Sequence, residues 1–314
     1  MVSRKTFTNN FIINSDLIKS KILKKYIGFA SLAIDGGKVG NDSILNCIII
    51  NPLKTLKPLL FDGVYHFTGD SESYKNIVSR IIEELGNIGI IITGIVTDNL
   101  RAQVIALDHR DERSIQRNSD IRALKTVLRI PCQCHVVSLA FNDLKSTIFL
   151  DGVERTLQIV IKSFRSKKFK KWIGAICPKI FPTRWTNIFD ILNFFLKHFK
   201  RLACIINTQN PIVREEVDSM RKDICTVLFH ILPNLYGFMF LYNKLIHILE
   251  SDSTLAAECP MIYTAFFKVV NEFMNQINNE HIITIGTLFC NSIKERLIRT
   301  GNINLLCFLC TFNI

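Results

Sequence analysis

Apolar and polar positions follow two periods along this chain, and the change of period divides it. Three short apolar runs come first: Phe29 to Ile34, Ser43 to Ile50 and Leu59 to Phe67. Gly36-Gly37 follows the first run and Asn51-Pro52 the second. Short β-branched runs bounded by such turn residues predict three strands in an antiparallel meander. The period then becomes helical. Tyr74, Ile77, Val78, Ile81, Ile82 and Leu85 lie three or four residues apart, on one face of an amphipathic helix. Asp70 or Ser71 is placed to cap its start, and Gly86 suits its end. Ile88 to Thr97 is then almost wholly apolar, which predicts a strand buried on both faces.

Ahead of these elements, Leu17, Ile18, Ile22, Leu23 and Tyr26 fall at helical spacing. After them the pattern predicts a helix over Leu100 to Leu107 and a charged loop over Asp108 to Asp120. A helix over Ile121 to Leu128, a strand over Ile130 to Cys134 and a helix opening at His135 follow. The order βββαβαβα predicts a mixed five-stranded α/β sheet with flanking helices, the strand order of the RNase H-like fold. From Gly152 onward only helices are expected: Val153 to Phe164, Trp185 to Leu202, Arg214 to Leu232, Tyr236 to Leu249, Met261 to Ile277, and Ile282 onward. The domain reading is therefore a helical segment over 1–27, an RNase H-like core over 28–165 and an all-α, insertion-like region over 166–314.

Composition narrows the class. The chain has 314 residues, 48% hydrophobic and 21% charged, which suits a globular protein and not a disordered one. Its formal net charge of +12 points to a polyanionic partner, with nucleic acid the default. An AT-rich genome that favours Lys, Asn and Ile codons would raise the charge as well. The polar start, with Arg4 and Lys5, lacks a secretory pattern, so an intracellular chain with reduced thiols is expected. Cys307-Phe-Leu-Cys310 has no partner pair and reads as core thiols. Ile224 to Tyr242 carries no formal charge, but Pro233-Asn234 interrupts it. Two buried helices with a break between them are expected there, and no membrane span.

Two carboxylates carry the candidate chemistry. Asp35 and Asp98 each follow the apolar end of an expected strand. A crossover helix would make those strands parallel and bring both ends to one sheet edge, where open α/β sheets place ligands. Paired carboxylates repel unless a divalent cation lies between them. Two such ions can activate an attacking oxygen and stabilise a leaving oxygen at phosphorus. Locally, Asp35 also reads as a turn residue and Asp98 as a helix cap.

Four segments occur in order: Leu32-Ala-Ile-Asp35-Gly-Gly, Gly94-Ile-Val-Thr-Asp98-Asn99, Cys132-Gln-Cys-His135, and Thr183-Arg-Trp185-Thr-Asn187. Together they resemble the catalytic core of hAT-superfamily DNA transposases, over roughly residues 3–193. The resemblance implies that Asp35 and Asp98 are two acids of a DDE triad holding Mg²⁺ or Mn²⁺. It implies cleavage and strand transfer on DNA, a nuclear setting, no small-molecule substrate and a homo-oligomer in the intact family. His135 would contact a phosphate, and Cys132 with His135 would otherwise be half of a zinc site or ordinary core residues. Trp185 would stack on a base with Arg184 on phosphate, or else anchor a helix face with Ile188, Phe189, Leu192 and Phe195. The basic run containing Lys167, Lys168, Lys170 and Lys171 reads as a solvated face or as a phosphate contact.

The third acid departs from the pattern. Glu295 is the best late candidate, yet it follows Trp185 closely for a whole insertion. The true third acid and the dimerisation region are therefore expected to be missing, as in a fragment, a decayed copy or a partial gene model. Two functions follow: a metal-dependent DNA-cleaving enzyme, or a catalytically inactive derivative that binds DNA or protein.

Overall fold

The computed structural model describes residues 19–39, 42–51, 57–65, 68–98, 100–107, 127–145, 147–179, 187–208, 210–218, 220–251 and 258–299. The chain divides into two compact units, Met1–His135 and Val136–Ile314. The sequence pattern carries the first domain on to 165.

In the first unit, residues 19–23 are helical and lead through a 3₁₀ turn, Lys24–Tyr26, into the sheet. The strands are β1 (Gly28–Val39), β2 (Asp42–Ile50), β3 (Leu59–Tyr65), β4 (Ile90–Thr97) and β5 (Leu128–Pro131). Their order across the sheet is β3-β2-β1-β4-β5. β1 pairs antiparallel with β2 and parallel with β4, β2 pairs antiparallel with β3, and β4 pairs parallel with β5. This is the expected mixed RNase H-like sheet.

The crossover from β3 to β4 is α1 (Ser71–Asn87), and β4 is followed by α2 (Arg101–Leu107). α1 starts where expected because the Asp70 carboxylate accepts from the Ser73 amide at 2.7 Å. It packs Val78, Ile81 and Leu85 with Leu32, Leu45, Ile49, Ile90 and Ile95 in one core. Burying a side chain of this size contributes about 1.5–3 kcal/mol.

Three sequence expectations change here. Gly36-Gly37 is not a turn: β1 runs through both residues and stays paired with β2 as far as Val39. Glycine tolerates extended backbone, and the β2 partners are available, so pairing prevails over the local turn signal. β4 is not buried on both faces, since Ile91 is 53% exposed and its neighbour Phe29 64%. Leu128 begins β5 and does not end a helix. Most of the helix expected over Ile121 to Leu128, and the loop before it, lie outside the described residues.

α3 (Gln133–Lys145) begins at the end of the first unit. The second unit contains, among its described residues, only helical elements. They are α4 (Ile148–Phe164), α5 (Lys167–Ile173), α6 (Asn187–Lys197), α7 (Phe199–Ile206), α8 (Pro211–Asp218), α9 (Arg221–Thr226), α10 (Leu232–Leu249), α11 (Cys259–Gln276) and α12 (Glu280–Arg299). Phe289 is a hub of this core. Its ring centroid lies 5.6 Å from Phe238, 5.8 Å from Tyr242, 6.0 Å from Phe266 and 6.4 Å from Phe141.

The expected break at Pro233 does not occur. α9 passes into α10 through a π-helical segment, Val227–Ile231. Pro233 sits in the first turn of α10, where the wider π turn accommodates its ring and missing N–H. The resulting helical stretch, Arg221–Leu249, is long and apolar enough to cross a membrane. Here Leu235, Phe238, Met239 and Tyr242 from it are core residues of the second unit.

Candidate functional site: the acid-bearing edge of the sheet

The geometry of the acid pair begins with a bulge in β4. Up to Ala30 the β1–β4 register pairs Gly28 with Ile90, Phe29 with Ile91 and Ala30 with Ile92. It then shifts by one residue, so that Ser31 pairs with Gly94, Leu32 with Ile95, Ala33 with Val96 and Ile34 with Thr97. Thr93 is the extra residue, and its hydroxyl donates to the Ala30 carbonyl at 3.4 Å. A bulge of this kind changes which side chains share a sheet face.

Leu32 and Ile34 on β1, with Ile95 and Thr97 on β4, face the helix-covered core. Asp35 and Asp98 follow next in the two strands. Continuing the register by one residue sets Asp98 opposite Asp35, both on the face away from that core. Neighbouring strands lie about 4.8 Å apart. Desolvation first, and the Asp98 charge second, raise the Asp35 carboxyl above its ordinary pKa. Two like charges have been brought together at this edge.

Asp35 therefore lies within β1, not in a turn beyond it, while Asp98 follows the last residue of β4. Asp98 is held by β5. The Arg129 side chain, 3% exposed, donates from Nη2 to the Asp98 carbonyl at 2.8 Å and from Nε to Thr97 Oγ1 at 2.9 Å. The Cys132 amide donates to the Thr97 carbonyl at 2.7 Å and extends the β4–β5 pairing. The third residue of α3 is His135, whose Nδ1 lies 4.0 Å from Asp98 Oδ1. That is an ionic contact whenever the imidazole carries a proton.

Cys132 and Cys134 flank the same place. Cys134 hydrogen-bonds the Cys132 sulfur and lowers its pKa, with burial opposing and the Asp98 charge also raising it. Tyr74, buried in the first turn of α1, feels both acids. Burial is the main reason its phenol pKa is raised, and the charges of Asp98 and Asp35 add to it. Tyr74 and Arg129 are the residues that sequence reasoning missed. A tyrosine on an apolar stripe and an arginine inside a short strand carry no local signal of a carboxylate nearby.

The other described sequence candidates belong to the second unit. Glu295 is an exposed residue of α12 in the second unit. Among the described residues, no group of three or more His, Cys, Asp or Glu side chains is disposed to hold a metal. A zinc site built on Cys132 and His135 thus finds no completing ligand there. Lys167, Lys170 and Lys171 are exposed on α5 in the second unit, and the backbone of Lys168 lies on the same helix. Arg184 and Trp185 lie outside the described residues, as do Cys307 and Cys310.

Two adjacent carboxylates supply hard oxygen donors and excess negative charge. That donor set fits Mg²⁺ or Mn²⁺ as two of its ligands, with waters or substrate oxygens completing the shell. A softer metal would be expected to recruit the nearby thiols and imidazole, and they do not converge.

The fold and this edge define an RNase H-like α/β unit with a paired-carboxylate site. No family model matches the chain, and no curated protein matches it. Among solved structures, it is similar to one described as a Drosophila P element transposase strand transfer complex. The two are 12% identical, over 93% of this chain and 69% of that one, with a TM-score of 0.34.

Proposed function

We propose that this chain carries a transposase-derived, RNase H-like core of hAT type, in which Asp35 and Asp98 hold Mg²⁺ or Mn²⁺ against a DNA phosphate in the nucleus. The observation that supports this reading is the register, which continued by one residue from Ile34 and Thr97 puts Asp98, just past β4, opposite Asp35 within β1. The order of the four motifs supports the hAT assignment. Bound there, a divalent cation would polarise a phosphoryl oxygen and lower the barrier to attack at phosphorus.

The protein's own residues prepare that site. Arg129 fixes the backbone of Asp98 from beneath, so the carboxylate is presented without a search over backbone conformations. His135 stands beside Asp98 and is placed to donate a ring N–H to a phosphate oxygen. Asp35, held above its ordinary pKa, gains most from a nearby cation.

The test is cleavage of labelled duplex DNA by the full chain in Mg²⁺ or Mn²⁺. Asp98→Asn and Asp35→Asn should each reduce cleavage by at least about a hundredfold while leaving the fold intact. One observation favours a second reading. Among the described residues no third acidic side chain clusters with the pair, and the second reading is a derivative that keeps DNA binding and has lost cleavage. Metal-dependent stabilisation without any cleavage by the wild-type chain would establish that second reading.

A further inference from the structure

The second unit carries a basic surface that the acid pair does not explain. From Arg155 through Arg214 the sequence holds thirteen Lys and Arg residues against one acid, Asp190. The fold gathers several of them. Lys162 and Arg165 lie at the C-terminal end of α4, and Lys167, Lys170 and Lys171 on α5. Lys197 ends α6, and Lys200 and Arg201 open α7; all eight are exposed.

Two hydrogen bonds fix these elements together. The Arg201 guanidinium donates to the Ile173 carbonyl at the end of α5, which locks α7 to α5. Arg165 Nη1 donates to the Cys177 carbonyl at 2.9 Å, which ties the end of α4 to the segment after α5. Among the described residues, no carboxylate forms a salt bridge with any of these cations. His198, at the joint between α6 and α7, reports the local field. Burial first, then the charges of Lys197 and Arg201, lower its pKa.

The chemistry of the surface selects its partner. Single-stranded nucleic acid is gripped by exposed aromatic rings beside a basic groove. Here Phe169 is buried and stands edge-on to both Phe164 and Trp172, at 4.7 and 4.9 Å. Those rings serve the core and leave lysines outward. Among the described residues of this surface the large rings are buried or partly buried, and flexible cations of this kind suit a regular array of phosphates, read without regard to base sequence.

We infer that the ends of α4 and α6 with α5 and α7, through Lys162, Lys167, Lys170, Lys171, Lys197 and Lys200, form a docking surface for the phosphate backbone of duplex DNA. This surface belongs to the second unit and does not depend on the acid pair. Neutralising α5 and neutralising the α6–α7 joint should weaken the same binding event.

The experiment uses the full chain and a fluorescein-labelled 30-bp duplex of arbitrary sequence, with affinity read by anisotropy across a salt series. Lys167→Gln/Lys170→Gln/Lys171→Gln should weaken binding on the order of tenfold and flatten the slope of log affinity against log salt. Every phosphate that is no longer neutralised should reduce the magnitude of that slope by about 0.9. Lys197→Gln/Lys200→Gln should act in the same direction. Lys268→Gln/Lys294→Gln, which removes equal charge from α11 and α12, should change little. Asp98→Asn should bind as the wild type does, so loss of cleavage and loss of docking remain separable. The proposal is overturned if the α6–α7 pair has no more effect than the α11–α12 pair. It is also overturned if a 30-nucleotide single strand binds more tightly than the duplex, or if phosphatidylserine vesicles bind and the duplex does not.

Discussion

Arg129 reaches from β5 to the backbone of Asp98, with Nη2 2.8 Å from its carbonyl oxygen, and is almost wholly buried in doing so. A buried guanidinium is costly unless its N–H groups find acceptors, and here Thr97 Oγ1 and the Asp98 carbonyl supply two of them. Arg129→Met should therefore remove both of these hydrogen bonds, leaving the Asp98 carbonyl only the Thr97 hydroxyl at 3.0 Å, and destabilise the first unit by about 1–3 kcal/mol. Urea denaturation followed by circular dichroism would measure this. Arg129→Lys keeps the charge and loses the fork, so it should also lose stability.

The acid pair makes a prediction whose sign is fixed. The folded pKa of Asp35 is raised, so the folded chain binds that proton more tightly than the unfolded chain does. This carboxylate therefore opposes folding above its raised pKa, and the penalty fades as pH falls through the ordinary aspartate range. Asp35→Asn should melt at the same temperature as the wild type or higher at pH 7, with the difference closing below about pH 4. A clear drop in melting temperature at pH 7 would contradict the geometry.

Divalent cation should reverse that penalty. A ligand that binds only the folded state stabilises it by about 2.7 kcal/mol at a hundredfold excess over its dissociation constant. Mg²⁺ or Mn²⁺ should thus raise the melting temperature of the wild-type chain. It should raise that of Asp35→Asn and Asp98→Asn far less, and chelator should abolish the gain. Differential scanning fluorimetry with Ca²⁺ and Zn²⁺ alongside would show whether oxygen ligation is preferred.

Phe289 tests the core of the second unit. Its ring meets four other aromatic rings from α3, α10 and α11, so truncation leaves a cavity that several elements border. Phe289→Ala should cost about 3–5 kcal/mol, read as a lower guanidinium midpoint for the helical signal.

Gly237 and Gly286 give a paired test of close packing. A Cβ at Gly237 would lie 2.7 Å from the Phe273 ring, a rigid group that cannot turn aside. A Cβ at Gly286 would meet the Met274 thioether, which is flexible. Gly237→Ala should lose about 1–3 kcal/mol. Gly286→Ala should lose less, because Met274 can repack, while the gain of about 1 kcal/mol in helix propensity is common to both positions. Thermal melts of the two variants would rank them.

Much of this architecture was legible in the sequence. The β-branched runs gave the strands, and the stripe from Tyr74 to Leu85 gave the crossover helix, because burial of one face dictates period. Asp98 was legible as a strand-end acid, and Asp35 as an acid beyond an apolar run, though β1 continues past it. What the residues did not disclose were effects decided by pairing partners. Gly36-Gly37 carries a turn signal, and only the presence of β2 keeps it extended. Pro233 carries a break signal, and a π turn absorbs it. Arg129 looks like a surface residue until its two acceptors are seen. The eight exposed cations come from four helices, and nothing in local sequence says that those helices pack on one another.

The extra residue in β4 has a consequence for how the acid pair is inherited. Had the earlier register run on without the bulge, Thr97 would stand opposite Asp35, and the two carboxylates would fall on opposite sides of the sheet. The pair is thus specified by a count of residues as much as by two aspartates. Point substitutions along β4 can drift without disturbing it, and loss of Thr93 would only remove the bulge, whereas a single-codon insertion between Thr93 and Asp98 would split the site while leaving both acids in the gene. A copy of this gene that has lost its chemistry could still display an intact motif, so strand length is the better marker of a working site.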